Sequence, residues 1–261
     1  MKPHTLAVPA RNILGVPIHP LTIEQALDVI DQVIHSRSRL HIGVVNAAKI
    51  VNMQRDHVLR DDVLSSGIIL ADGMAVVWAA RLLGVHLPER VAGIDLMLGM
   101  LKRGIEHRYR VYCLGATDEV LAKVVQRIGM EYPQVQVVGS QNGYFSTDEE
   151  EQIAEDISTA RPDILFVAMT SPKKEQFLAR WSGRLGVPVC HGVGGSFDVL
   201  AGKVERAPEI WQRLGLEWLY RVKQEPRRLW KRYLVTNTLF CGLVLREFVR
   251  HLFPSDVPSE Q

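Results

Sequence analysis

The sequence predicts an α/β fold, a mostly parallel sheet with helices on both faces, followed by a helical C-terminal appendage. Three observations carry this. Short apolar runs bounded by turn residues alternate with helix-period segments. Polar and glycine-rich residues gather just after those runs, at the carboxyl ends where open parallel sheets bind ligands. Near Pro208 the pattern changes to a helical, aromatic and basic tail.

Taken in order, Thr22 and Gln25 form a capping box ahead of a helix over 26–35. The runs 40–45, 68–70, 110–114, 135–138, 164–169 and 187–190 read as buried strands, apolar on both faces. Pro172 stands where a first-turn proline opens a helix over 173–185. No internal repeat or low-complexity tract interrupts residues 12–200, so 1–205 reads as one α/β core and 206–261 as the appendage. The 261 residues, 47% hydrophobic and 23% charged, suffice for such a core and exclude disorder throughout. Cys113, Cys190 and Cys241 are odd in number and lack metal-ligand spacing, which fits small apolar side chains in a reducing compartment. Residues 1–11 lack the continuous apolar core of a signal peptide, so a cytoplasmic protein is expected.

The strand ends supply the candidates for chemistry. Asn46 follows the run 40–45, and Asp72 follows 68–70 ahead of Gly73 and a helix, so both can project into one crevice. Asp72 suits a general base that takes the proton of an attacking hydroxyl, and equally an N-cap of the helix behind it. Arg90 can neutralise a diphosphate or stand as a solvated surface arginine, and Asp95 reads as a helix cap. Tyr144 can stack on a base or pack in the core. Pro172, Lys173, Lys174 and Glu175 open a helix where amides and lysine charge can meet an anion, or form a solvated cluster. The run Gly192-Val-Gly-Gly-Ser-Phe-Asp198 offers amides at Gly194 and Gly195 to an anion, and Ser196 and Asp198 to a sugar or base. A phosphorylated nucleotide is therefore a plausible ligand, against the plainer use of these glycines to turn the chain. Phe197 stands where the last glycine of a dinucleotide fingerprint belongs, which disfavours an oxidoreductase. No Asp-x-Asp pair or His/Cys/Asp constellation has ligand spacing, so no metal or other cofactor is expected. His41 and His191 read as packed histidines.

Charge is unevenly distributed. Eight basic residues against two acidic ones give 221–250 a net +6, and from a total of +2 the rest of the chain is left at −4. In a helix over 226–253 the longest uncharged stretch, 233–245, has 13 residues, short of the ~20 needed to span a bilayer. Arg227, Arg228, Lys231 and Arg232 beside Trp230, Leu234, Leu239, Phe240 and Leu243 suit a helix lying on an anionic membrane surface, or a lipid-linked pyrophosphate. The competing uses are docking on its own domain, packing in a homo-oligomer, and nucleic-acid binding; the acidic remainder makes the last the weakest.

Several segments together resemble the WecG/TagA/CpsF family of bacterial glycosyltransferases. They are Val45-Asn46, Ala71-Asp72-Gly73, Arg90-Val-Ala-Gly-Ile-Asp-Leu96, Leu114-Gly-Ala116, Gly143-Tyr-Phe145, Pro172-Lys173 with Glu175, and the run 192–226. The resemblance implies a Rossmann-like, GT-E-like core with a membrane-associating helical appendage. It implies an inverting, metal-independent transfer of a hexose-type sugar, such as N-acetylmannosamine, its uronic acid or glucose. The donor would be a UDP-sugar and the acceptor a polyprenyl-diphosphate-linked saccharide, at the inner face of the plasma membrane, in cell-surface polysaccharide synthesis. By the same resemblance Asp72 is the base, Asn46 and Arg90 are active-site groups, and Tyr144 and Asp198 contact the nucleotide. Arg221, Arg228 and Lys231 then meet the acceptor diphosphate. Val44, Lys174 and Ala75 depart from the usual threonine, glutamine and glycine, and Lys174 places a charge that can pair with a carboxylated donor sugar or phosphate. The rival from another class is a non-catalytic sugar-nucleotide-binding partner in a polysaccharide-assembly complex, with Asp72 reduced to a helix cap.

Overall fold

The computed structural model describes residues 1–253, apart from the side chain of Arg228. The chain opens with a hairpin of β1 (Arg11–Ile13) and β2 (Val16–Ile18), which apolar periodicity does not announce. Its turn holds Leu14 at φ 53° and Gly15 at φ 80°, the left-handed pair that a two-residue hairpin turn requires. Ile13, Val16 and Ile18 are buried beneath it.

The core continues as α1 (Ile23–His35), β3 (Leu40–Val45), α2 (Ala47–Met53), α3 (His57–Leu64), β4 (Ile68–Ala71), α4 (Met74–Leu82) and α5 (Gly93–His107). Then come β5 (Arg110–Gly115), α6 (Asp118–Glu131), β6 (Gln136–Gln141), α7 (Glu150–Ala160), β7 (Ile164–Ala168), α8 (Lys173–Trp181), β8 (Val189–Gly192) and α9 (Ser196–Leu200). The expected strands all form, although β6, expected to be buried, is a part-exposed edge strand, and the Thr22–Gln25 box caps α1 reciprocally. Pro172 is the N-cap of α8 rather than its first helical residue, and α8 stops at Trp181. Ser182 and Gly183 propagate a helix poorly, and Gly186 at φ 65° turns the chain toward β8.

Strands pair in the order β4-β3-β8-β7-β5-β6, every neighbour parallel. Alternate side chains sort to opposite faces. Leu40, Ile42, Val44, Val111, Cys113, Ile164 and Phe166 enter the core shared with α1, α5 and α6. The other face divides in two. Val45, Ile69 and Ala71 pack under α2, α3 and α4, whereas Tyr112, Leu114, Leu165 and Val167 pack under α7 and α8. Between these apolar halves lies a buried charge cluster of Lys49, Lys174 and Glu175.

The appendage comprises α10 (Glu209–Arg213), α11 (Glu217–Gln224) and α12 (Pro226–Leu252). Helix α12 lies along α2, and its Phe240 and Val244 join the cluster that holds β1, β2 and α4. No helix among the described residues is long and apolar enough to cross a membrane.

Candidate active site

Asn46 and Asp72 stand side by side because β3 and β4 are parallel and in register, Val45 opposite Ala71. The Asp72 N–H donates to the Val45 carbonyl at 2.8 Å, and Val91 N–H donates to the Ala71 carbonyl at 2.9 Å. That second bond brings the loop after α4 back along β4 and delivers Arg90 to the same strand tip. Gly73, at φ +139°, makes the sharp exit and passes close to Asn46, whose Cβ lies 3.7 Å from where a Cβ on Gly73 would sit.

The N-cap of α4 is Gly73, with no side-chain cap bond, so Asp72 is not occupied as a helix cap. Its carboxylate makes no side-chain hydrogen bond among the described residues. Burial, and then the Glu217 carboxylate, raise its pKa above the ordinary aspartate value, while Arg221, Arg90 and Lys49 oppose them. A carboxylate made more basic and left unpaired at a strand tip suits proton abstraction. Asn46, by contrast, caps α2, its Oδ1 accepting from Lys49 N–H at 3.0 Å. Only its amide NH2 is left to face a ligand.

Arg90 is not a solvated surface arginine. Its side chain is 13% exposed and bonds Glu217 of α11 at 2.7 Å and Asp95 at 3.3 Å, with Gln212 of α10 at 3.5 Å. Asp95 sits inside the first turn of α5 and pairs with Arg90 and Arg206 rather than capping the helix. Arg221, half exposed, pairs with Glu217 at 3.4 Å. Core and appendage thus meet at this tip through alternating charges.

Further along the carboxyl edge, Gly115 at φ +125° presses against the Ala168 backbone, where a Cβ would come within 2.4 Å of the carbonyl oxygen. Gly143 folds over it, and Lys173 secures that loop by donating to the Gly143 and Phe145 carbonyls at 3.1 and 2.7 Å. Tyr144 is left 79% exposed at the tip, so it is not core packing.

A scan against protein-family models matches residues 11–253 to the glycosyl transferase WecG/TagA/CpsF family. The chain belongs to the WecG/TagA/CpsF family of glycosyl transferases. It is 37% identical over 170 residues to an N-acetylglucosaminyldiphosphoundecaprenol N-acetyl-beta-D-mannosaminyltransferase of Bacillus spizizenii, covering 65% of each chain. To the protein of the same description from Bacillus subtilis it is 37% identical over 193 residues, covering 74% of each. The match therefore spans slightly less than two thirds of the first relative and about three quarters of the second.

Within this WecG/TagA/CpsF chain the remaining candidates fall in different places. Gly194, at φ +53°, and Gly195 have no atom within 4 Å of an added Cβ, so the turn after β8 faces open space. Its amides offer less to an anion than expected: Gly194 and Ser196 N–H groups donate to Val167 and Val193 carbonyls. Ser196 is buried with its hydroxyl donating to Val193 at 2.7 Å, a backbone bond rather than a sugar contact. Asp198 is part exposed and pairs with Lys203 at 3.3 Å. Lys231 is exposed on α12 and makes no ion pair among the described residues. The Arg228 side chain lies outside the described residues.

Lys174 departs most from expectation. It is neither a solvated charge nor open to a donor sugar: its side chain is 8% exposed and its ammonium donates to Glu175 Oε1 at 2.6 Å. Lys49 donates to the same oxygen at 2.8 Å. The physical reason is Gly192, where an added Cβ would lie 2.7 Å from Lys174 Cδ. The bare glycine lets the lysine lie flat beneath the strand ends, where it lines a cavity of about 10 Å³ with His41, Lys49, Ser66 and Glu175. That is room for about one water. His191 is buried and donates through Nε2 to the Gly93 carbonyl at 3.0 Å, as a packed histidine. Sequence reading missed Glu217 and Lys49. Lys49 is visible three residues after its cap, and Glu217 four before Arg221, but neither spacing points to Asp72.

Proposed function

We propose that this glycosyl transferase moves a hexose-type sugar from a UDP donor to a saccharide carried on a polyprenyl diphosphate, with inversion and without a metal. N-acetylmannosamine leads among the donors, since both relatives are described as N-acetylmannosaminyltransferases acting on an N-acetylglucosaminyl lipid diphosphate. The observation that carries the reading is the Asp72 carboxylate, uncapped, made more basic, and flanked by cations.

In the proposed step the acceptor hydroxyl gives its proton to Asp72 as its oxygen bonds the anomeric carbon. The bond from that carbon to the diphosphate oxygen breaks, and UDP departs with the electron pair. One displacement from the side opposite the leaving group inverts the configuration. Arg90, Arg221 and Lys49 are the cations near Asp72, and they support a reading in which side chains meet the leaving charge. The non-catalytic alternative needs Asp72 as a helix cap, a place that Gly73 holds.

For the membrane, α12 carries two apolar stripes. Leu229, Phe240 and Val244 are buried, whereas Trp230, Leu234, Leu245, Val249 and Leu252 are exposed on another side among Arg227, Lys231, Arg246 and Arg250. Self-docking uses one stripe and leaves the second for an anionic leaflet at the inner face, where the chain would sit as a peripheral protein.

The test is product mass after incubation with lipid-diphosphate N-acetylglucosamine and a panel of UDP-sugars. The gain of one N-acetylhexosamine is the expected outcome, and the Asp72→Asn protein is expected to bind UDP while transfer falls by roughly a thousandfold or more. Parental turnover in that variant removes the base assignment.

A further inference from the structure

Arg90 is held from two sides. Asp95 of α5 belongs to the core, but the shortest bond, 2.7 Å, comes from Glu217 in the appendage, with Gln212 of α10 adding a third contact. Glu217 in turn holds Arg221 on its own helix at 3.4 Å. Seating of α11 is fixed nearby by backbone shape: an added Cβ on Gly215 would lie 2.5 Å from Trp78 and 2.8 Å from Met74 Cβ, so only glycine lets the turn before α11 close on α4. Met74 is the first residue of α4, two positions beyond Asp72. The appendage therefore closes on the helix that starts at the candidate base, and it brings a carboxylate to the arginine beside that base.

We propose that Glu217 is a positioning residue for the transfer reaction: it fixes the Arg90 guanidinium at the strand tip that carries Asp72. The inference rests on the reading of Asp72 as the base. The charged groups that face Asp72 are Glu217 and Arg221 from α11, Arg90 from the loop ahead of α5, and Lys49 from α2. Those that face Glu217 are Arg90, Arg221 and Asp72 itself. Loss of the Glu217 charge removes the one anion of the set, and that change favours the ionised aspartate. The base is active when ionised, so the acid limb of the pH profile moves to lower pH even as the misplaced guanidinium slows transfer.

The experiment compares the full-length parent with Glu217→Gln and Asp72→Asn, reading kcat/KM for UDP-N-acetylmannosamine across the acid limb, with lipid-diphosphate N-acetylglucosamine as acceptor. Glu217→Gln is expected to lose roughly ten- to a hundredfold in kcat/KM and to shift the limb downward. A limb that stays in place, whether or not turnover falls, overturns the inference and leaves Glu217 a fold-holding ion pair. Parental turnover in Asp72→Asn instead overturns the base reading itself, so the two failures are distinct. Should the glutamine variant fail to fold, Glu217→Asp keeps the charge and shortens its reach. It is expected to keep the parental limb with reduced kcat/KM, and parental kcat/KM there overturns the inference.

Discussion

At Asp72 the fold holds a carboxylate where burial and Glu217 oppose its charge, and the folded state is less stable for it. The sign follows from linkage. A carboxyl whose folded pKa lies above the unfolded value favours the folded state when protonated, and that advantage disappears as pH rises through the unfolded and then the folded value. At neutral pH the ionised group is a net cost. Asp72→Asn is therefore expected to raise the melting temperature by roughly 1–3 °C while transfer is lost, and calorimetry beside the transfer assay checks both. An unchanged or lower melting temperature would place Asp72 among the groups that hold the fold. The sequence marked this residue because a polar side chain at a strand end can face a ligand crevice, and Asn46 followed by the same logic, whereas Arg90, between α4 and α5, was marked by its charge and by the family resemblance. It left the choice between base and cap open, since only the path through Gly73 decides which residue caps α4.

Among the elements, the telling junction is that of α2, α8 and β8, where Lys49 and Lys174 share one oxygen of Glu175 under the strand ends. Two ammoniums hold the Glu175 carboxyl well below its usual range, against its own burial, and burial and Lys49 lower Lys174. Removing the shared anion leaves two cations buried together, so Glu175→Ala is expected to cost about 3–5 kcal/mol in urea unfolding. Because the folded Glu175 is more acidic than the unfolded one, its contribution is present above the ordinary glutamate value and is lost as pH falls below it. Unfolding midpoints that hold steady through that acid range would count against the pairing. Gly192→Ala tests the same junction from the backbone side. Its methyl displaces Lys174, at about 1–3 kcal/mol. This junction was not legible in the sequence. Lys174 next to Glu175 reads as a solvated pair until the sheet brings Gly192 beneath it. The strands themselves were legible, since a series of short, largely apolar runs leaves little choice but a covered parallel sheet, with the more polar β6 at its edge. The β1–β2 hairpin was not, because three-residue strands give no period to read.

At the scale of the whole molecule, the chain joins a sheet whose carboxyl edge carries the candidate site to a helix with one apolar stripe buried and another exposed. The tail's composition alone left self-docking and membrane contact as competing uses; the structure docks one stripe of α12 on the core and leaves a second exposed, which is the stripe available for the proposed membrane contact. Phe240 and Val244 share a core with α2, β1 and β2, whereas Trp230, Leu234 and Leu245 remain exposed. The two roles separate by substitution. Phe240→Ala leaves a cavity in that shared core and is expected to cost about 3–5 kcal/mol, read as an earlier unfolding transition. Replacing Trp230, Leu234 and Leu245 together with serine removes mostly exposed apolar surface, so the unfolding transition is expected to move little. The same triple variant is expected to bind anionic vesicles at least tenfold more weakly, each lost side chain being worth about 1.5–3 kcal/mol when fully buried, and added salt should weaken the parent as well. Equal vesicle binding by parent and triple variant would show that the exposed stripe does not face lipid. An earlier unfolding transition in the triple variant would place that stripe against protein instead.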